Sequence, residues 1–276
     1  MKLHTINTGM FKLDGGAMFG VVPKTMWSKL NPPDENNMCT WAMRCLLIED
    51  GDKLILIDNG IGNKQSDKFF GHYYLHGDDT LEKSLNALGF GVDDVTDMFL
   101  THLHFDHCGG SVKWNSAKDG YETVFKNATY WSNNKHWDWA TKPNAREKAS
   151  FLTENIMPMY DSGQLKFVDD GFDLFEFTEV FGHTESMMLP VLNYKDKTIV
   201  YMADLIPSAA HIPVPYVMGY DTRPLLTLGE KETILTEMQQ KGAILFFEHD
   251  PVNECGTLVA TDKGIRLGET FKLADI

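Results

Sequence analysis

The sequence predicts an α/β fold, a sandwich of mixed β-sheet with helices packed outside it. Three observations lead there. Short apolar runs ended by turn residues recur along the chain, helical periodicity lies between some of them, and others follow one another with no helix between. Strict strand–helix alternation would give a parallel sheet, whereas consecutive strands need antiparallel neighbours, so a mixed sheet satisfies both.

The apolar runs are Cys45–Ile48, Lys53–Asp58, Asp97–Thr101, Thr198–Ala203 and Ala243–Phe247. Their length and their Ile, Leu, Val and Phe content read as buried strands. A helix is predicted over 80–88, where Leu81, Leu85 and Leu88 recur at spacings of four and three before Gly89. A second is predicted over 230–241, with Ile234, Leu235 and Met238 on one face and Gly242 as the stop signal. Phe172–Thr178, Met187–Tyr194 and Thr198–Ala203 read as a meander, with Lys195-Asp196-Lys197 as a tight turn. The best loop candidate is Asn31–Asn37, and there is no short-period repeat, low-complexity tract or obvious linker. A single domain over residues 1–276 is therefore expected.

Composition narrows the classes. Hydrophobic residues make up 43% and charged residues 23%, ordinary values for a globular chain with enough apolar material to fold without staples. The net charge of −14 and the lack of a basic run exclude a nucleic-acid partner, because phosphate binding needs clustered Lys and Arg. Cys39, Cys45, Cys108 and Cys255 include no CxxC pair, and scattered thiols suit a reducing compartment. Met1–Thr5 carries no apolar leader core and no run is long enough to span a membrane. The expectation is a cytoplasmic protein with no membrane partner. Its acidic surface and apolar groups near the N-terminus permit a homodimer.

The chemistry concentrates in Thr101-His102-Leu103-His104-Phe105-Asp106-His107-Cys108-Gly109-Gly110, directly after the apolar Met98-Phe99-Leu100. Imidazole and carboxylate suit zinc and related first-row ions. In extended chain His102 and His104 point the same way, while Asp106 and His107 can turn toward a neighbouring ion. All four cannot serve one tetrahedral ion and leave it an open position, so two ions sharing a water solve the problem better. Three further donors stand at similar strand ends. His183 lies in Phe181-Gly182-His183-Thr184, Asp204 closes the run Ile199–Ala203, and His249 lies in Glu248-His249-Asp250-Pro251. Seven donors complete the set without Cys108.

The Thr-His-x-His-x-Asp-His loop, followed in order by Gly-His-Thr, a strand-ending Asp and a late His, resembles the metallo-β-lactamase superfamily from about Leu54 to His249. That resemblance implies a four-layer αββα sandwich with metals at one edge of two sheets. By position it implies that His102, His104 and His183 hold a first divalent ion, that Asp106, His107 and His249 hold a second, and that Asp204 bridges both. It also gives Asp58, in Leu56-Ile57-Asp58-Asn59-Gly60, the task of orienting a ligand histidine, although this stretch reads equally as a simple turn. Zinc is the expected metal, with iron, manganese and cobalt as alternatives.

Two such ions about 3.5–4 Å apart share a water and bring its pKa toward neutrality, so that a bridging hydroxide can attack an ester-like bond. Asp106, close to that water, can steer its proton. The full histidine set argues against a non-hydrolytic iron redox protein, whose relatives replace part of it. Within the superfamily the chain is most similar to the acyl-homoserine lactonase and methyl-parathion hydrolase branch, through Gly20–Lys24 and Trp131–Trp139. The first expectation is hydrolysis of a lactone of N-acyl-homoserine type, a small molecule with an apolar portion. Alternatives are an organophosphate or aryl-ester hydrolase and a glyoxalase II-like thioesterase. Aromatic and Pro-rich residues of the Asp204–Tyr220 segment predict an apolar cleft. Many lactonases carry a tyrosine three residues after the bridging Asp. Here that position is Pro207, and Tyr220 is the candidate catalytic replacement.

Overall fold

The computed structural model describes residues 1–276. The chain forms two compact units, each built from two stretches: Met1–Gly9 with Met43–Leu174, and Met10–Ala42 with Phe175–Ile276.

The first unit is organised on a six-stranded sheet. Its strands are β1 (Lys2–Asp14), β2 (Met38–Asp50), β3 (Lys53–Ile57), β4 (Asp97–Phe99), β7 (Thr129–Ser132) and β8 (Leu165–Phe167), hydrogen-bonded in that order. A small hairpin of β5 (Val112–Trp114) and β6 (Tyr121–Thr123) stands apart. β2 and β3 pair antiparallel, while β3, β4, β7 and β8 run parallel. Leu54 and Leu56 of β3 join Leu47, Met98, Leu100 and Tyr130 in one core with Ile156 and Met159 of the helix Thr153–Asp161. Ile55 and Ile57, one residue out of phase with them, are also buried. Both faces of this strand are thus apolar, which is why it reads as a continuous run rather than an alternation. The helix Leu81–Ala87 forms as predicted, with the Thr80 hydroxyl accepting from the Lys83 amide as its N-cap. Leu85 faces the core, but Leu88 lies beyond the last turn and is exposed.

The second unit carries a sheet in which each strand pairs with the next: β9 (Glu176–Val180), β10 (Met187–Tyr194), β11 (Lys197–Tyr201), β12 (Ile244–Phe246), β13 (Cys255–Thr261) and β14 (Gly264–Phe271). Only β11 and β12 are parallel, and the crossover between them contains the helix Pro224–Gln240. The meander is present with shifted boundaries. β9 begins at Glu176 rather than Phe172, because Phe172 is held in the first unit against Phe99 and Trp131. Tyr194 pairs with Lys197, so the turn is the two residues Lys195 and Asp196, both at positive φ (46° and 60°). That is the type I′ geometry whose twist matches the flanking strands. The crossover helix starts at Pro224, well before the predicted Glu230. Its buried stripe runs Thr227, Lys231, Ile234, Leu235, Met238, and the polar character of the first two conceals its opening turns.

Parallel pairing decides where the chemistry can collect. β3 and β4 end side by side, with the Asp58 amide donating to the Phe99 carbonyl at 2.9 Å. The segments that follow stay together: the Asn59 amide donates to the His107 carbonyl and the Gly110 amide to the Gly60 carbonyl, both at 2.9 Å. A Cβ on Gly109 would collide with the Ile61 carbonyl, and one on Gly110 with that of Asn59. The two glycines after the histidine-rich loop thus permit backbone-to-backbone contact. In the second sheet the Met202 amide donates to the Phe246 carbonyl, bringing the ends of β11 and β12 together. No helix is long and apolar enough to cross a membrane. We expect Gly110→Ala to destabilise the protein by about 1–3 kcal/mol, the usual cost of overpacking. A urea midpoint equal to wild type would show that the contact yields without strain.

Candidate metal centre

In the first unit the loop after β4 extends through His104 and then makes one helical turn, Phe105–Cys108. His102 Nε2 and His104 Nδ1 come within 3.1 Å of each other, both rings buried, so the two nitrogens aim at a common point. His107 Nε2 lies 3.8 Å from Asp106 Oδ2, a second pair of donors on the same loop.

The other nitrogen of each of these rings faces a polar group. The Thr101 hydroxyl sits 3.0 Å from His102 Nδ1 and donates to Asp58 Oδ2 at 2.7 Å. The Thr101 amide donates to Asp58 Oδ1 at 2.8 Å, and His107 Nδ1 is 3.1 Å from Asp58 Oδ2. Asp58 is completely buried and holds the left-handed φ of 56°, a conformation costly for a non-glycine residue. The turn at Asp58-Asn59-Gly60 and the contact with a ligand-type histidine therefore coexist. Glu147 Oε1 faces His104 Nε2 at 3.6 Å, and its Oε2 accepts from Trp139 Nε1 (2.7 Å) and Asn144 Nδ2 (2.6 Å).

The second unit builds its cluster around one carboxylate. Asp204 Oδ2 is 3.0 Å from His183 Nε2, and its Oδ1 is 3.1 Å from His249 Nε2. Ala203, just before it, has φ 40°, so the chain turns sharply as β11 ends. His183 Nδ1 faces Asp221 Oδ1 at 2.9 Å, and His249 Nδ1 donates to the Ala42 carbonyl at 2.7 Å. Burial pulls the His183 pKa down, but Asp204 and Asp221 at its two nitrogens outweigh that and raise it to about 10. Without a cation, a proton on the imidazole supplies the positive charge that the two acids require.

Both clusters fit a divalent metal. Their donors are imidazole nitrogen and carboxylate oxygen, the set that zinc and its neighbours accept. In four of the five imidazoles the outward nitrogen has a hydrogen-bond partner, which fixes ring orientation and leaves the inward one as a donor, while that of His104 faces Glu147 at 3.6 Å.

Of the predicted residues, His102, His104, Asp106, His107 and Asp58 gather in the first unit and His183, Asp204 and His249 in the second. Tyr220 lies directly before Asp221 and is 40% exposed. Cys108 turns away from the donors. Its Sγ donates to the Leu103 carbonyl, and burial pushes its thiol up to about 12. Phe19, Trp27 and His211 stack in a buried column, with centroid distances of 5.3 and 4.5 Å to Phe19, so these aromatics are core rather than cleft wall. Glu147, Asp221 and the Ala42 carbonyl carry no signal in the sequence. Only the general need of a metal-bound imidazole for a second partner points to residues of their kind.

Comparison with known proteins agrees with this chemistry. Residues 44–249 match the family described as the metallo-beta-lactamase superfamily. An N-acyl homoserine lactonase of Bacillus cereus is 22% identical over 274 residues, spanning 94% of this chain and 96% of that protein. A probable metal-dependent hydrolase from Staphylococcus aureus superposes with a TM-score of 0.86 at 26% identity, over 98% of this chain and 96% of that one. AidC, a dizinc quorum-quenching lactonase solved with a product, superposes with a TM-score of 0.77 at 24% identity over 98% and 95% of the two chains. With the family matched over most of its length, this chain belongs to the metallo-β-lactamase superfamily and is a metal-dependent hydrolase with that superfamily's mixed α/β fold.

Proposed function

We propose that the protein is a dinuclear metal hydrolase of lactones, N-acyl-homoserine lactones being the substrate class. The observation that carries this reading is the donor set itself: five buried imidazoles, four with the outward nitrogen hydrogen-bonded, beside Asp106 and Asp204. His102, His104 and His183 would hold one ion, Asp106, His107 and His249 the other, and Asp204 both, with Asp58 orienting His107. Lactonase relatives that match nearly the whole chain support the choice of substrate.

Divalent ions held there would supply Lewis acidity and a water of lowered pKa. The side chains do the rest. Asp58 and Asp221 hold His107 and His183 in one orientation and tautomer, so their inward nitrogens need no reorganisation, and Glu147 faces His104. The Asp106 carboxylate, buried beside His107, is the group placed to take a proton from an attacking water. All four cysteines are buried, which suits the cytoplasmic setting we propose for the enzyme.

Pro207, where many lactonases carry a tyrosine, favours a second reading in which aryl esters or phosphotriesters are hydrolysed instead. Such leaving groups need less protonation. The deciding test is acid release from a long-chain acyl-homoserine lactone by zinc-loaded protein. Turnover abolished by a chelator is expected. No turnover from protein holding two zinc ions per chain would move the assignment to the second reading.

Two variants test the residues. His104→Ala is expected to lose metal and activity together, and a normal zinc content measured by atomic absorption would contradict its place as a ligand. Asp106→Asn is expected to lower kcat by about 10²–10⁴-fold, the usual range for general acid–base groups, with little change in unfolding midpoint. An unchanged kcat would remove Asp106 from the reaction.

A further inference from the structure

Lys231 lies on the crossover helix Pro224–Gln240 with 0% of its surface exposed. A buried ammonium must replace its hydration with an acidic partner or with converging acceptors. Lys231 does the latter. Its Nζ donates to the carbonyls of His211 (2.7 Å), Pro213 (3.2 Å) and Tyr216 (2.6 Å). Burial pulls its pKa down and Asp221 opposes that shift, while three carbonyl acceptors can all be served only by the protonated amine with its three N–H groups. Beside it His211 stays neutral, its own pKa driven to about 3 by burial, with Nε2 facing the Met18 carbonyl and Nδ1 the Ser208 hydroxyl.

All three carbonyls belong to the irregular segment between Asp204 and Asp221. Apart from the single 3-10 turn Ala209–His211 that segment has no helix or strand, so contacts from outside it help to fix its path. Its first end is a proposed ligand, and its last holds His183 Nδ1 at 2.9 Å. The Thr222 amide then donates to the His183 carbonyl and the Arg223 amide to that of Gly182. A change in the middle of the segment thus reaches Asp221 and, through it, His183.

We propose that Lys231 is a positioning residue, a tethered cation that gathers three carbonyls and thereby fixes Asp221 and the orientation of His183. The proposal rests on the reading of His183 and Asp204 as metal ligands. An apolar side chain at this position would leave three carbonyl dipoles converging with no positive charge between them.

The test uses full-length protein and two readouts, zinc affinity by chelator competition and limited proteolysis of the metal-free form between residues 205 and 220. Lys231→Met, which keeps the stem and removes the charge, is expected to weaken zinc binding by about 10–100-fold, the range for lost partners of ligand histidines. Cleavage in the segment is expected to accelerate at least about tenfold, as for a segment opened by roughly 1.4 kcal/mol. In Lys231→Ala, propylammonium should restore zinc affinity and protection, while sodium chloride at equal ionic strength should not. Leu235→Ala, one turn along the same helix, should lower stability and leave zinc affinity unchanged. Wild-type zinc affinity in Lys231→Met, equal weakening in Leu235→Ala, or no response to propylammonium would each overturn the proposal. If Lys231→Met does not fold, refolding of Lys231→Ala with propylammonium decides: recovery of zinc binding supports the proposal and failure refutes it. A wild-type protein that binds no zinc would refute the metal reading instead, and the proteolysis comparison would still judge the loop clamp alone.

Discussion

The structure depends on placing carboxylates where water cannot reach them. Asp58, Asp221 and Glu147 are 0%, 1% and 3% exposed, and each faces an imidazole nitrogen. A buried anion is tolerated only with hydrogen bonds or a compensating charge, so every one of these acids imposes a partner. Asp58 takes the Thr101 amide and hydroxyl as well as His107, and Glu147 takes Trp139 and Asn144 as well as His104. Removing one partner would leave a charge uncompensated. The supporting residues are therefore as constrained as the donors they hold.

Strand direction gathers that local chemistry at one edge of each sheet. In the first sheet β3 and β4 are parallel, so Asp58 and the histidine-rich loop emerge at the same edge. In the second, β11 and β12 are parallel, and Asp204 and His249 emerge together for the same reason. β9 is antiparallel to β10, which is antiparallel to β11, so β9 runs the same way as β11 and His183 follows its end at that edge. Carboxyl ends of strands are where open α/β sheets collect ligands, because the loops there are free of ladder hydrogen bonds. An internal cation at Lys231 extends the same logic to the irregular segment that no sheet supports.

The proposed donors stand out in the sequence because four of them fall within six residues of one loop and the others follow predicted strands. Their supports do not. Asp221 and Glu147 sit in stretches with no periodicity or motif, and only folding brings them beside His183 and His104. Asp58 was legible through family resemblance alone. Lys231 within a predicted helix reads as a solvated position, since a lysine on an amphipathic pattern ordinarily faces water. The buried Thr227 disguised the beginning of the same helix. Strand interiors were predicted well, whereas β9 was misplaced at its start because Phe172 is committed to aromatic contacts that periodicity cannot reveal.

Cys108 adjoins His107, a position in which a thiol would ordinarily be an oxidative liability. Thiolate, not thiol, reacts with peroxide and captures soft metals such as copper(I) or cadmium. With its pKa pushed up to about 12 and its Sγ donating to the Leu103 carbonyl, this sulfur has almost no thiolate at neutral pH and no route to solvent. The histidine-rich loop thus carries a sulfur that neither competes for toxic soft ions nor transmits peroxide damage, leaving its chemistry to nitrogen and oxygen.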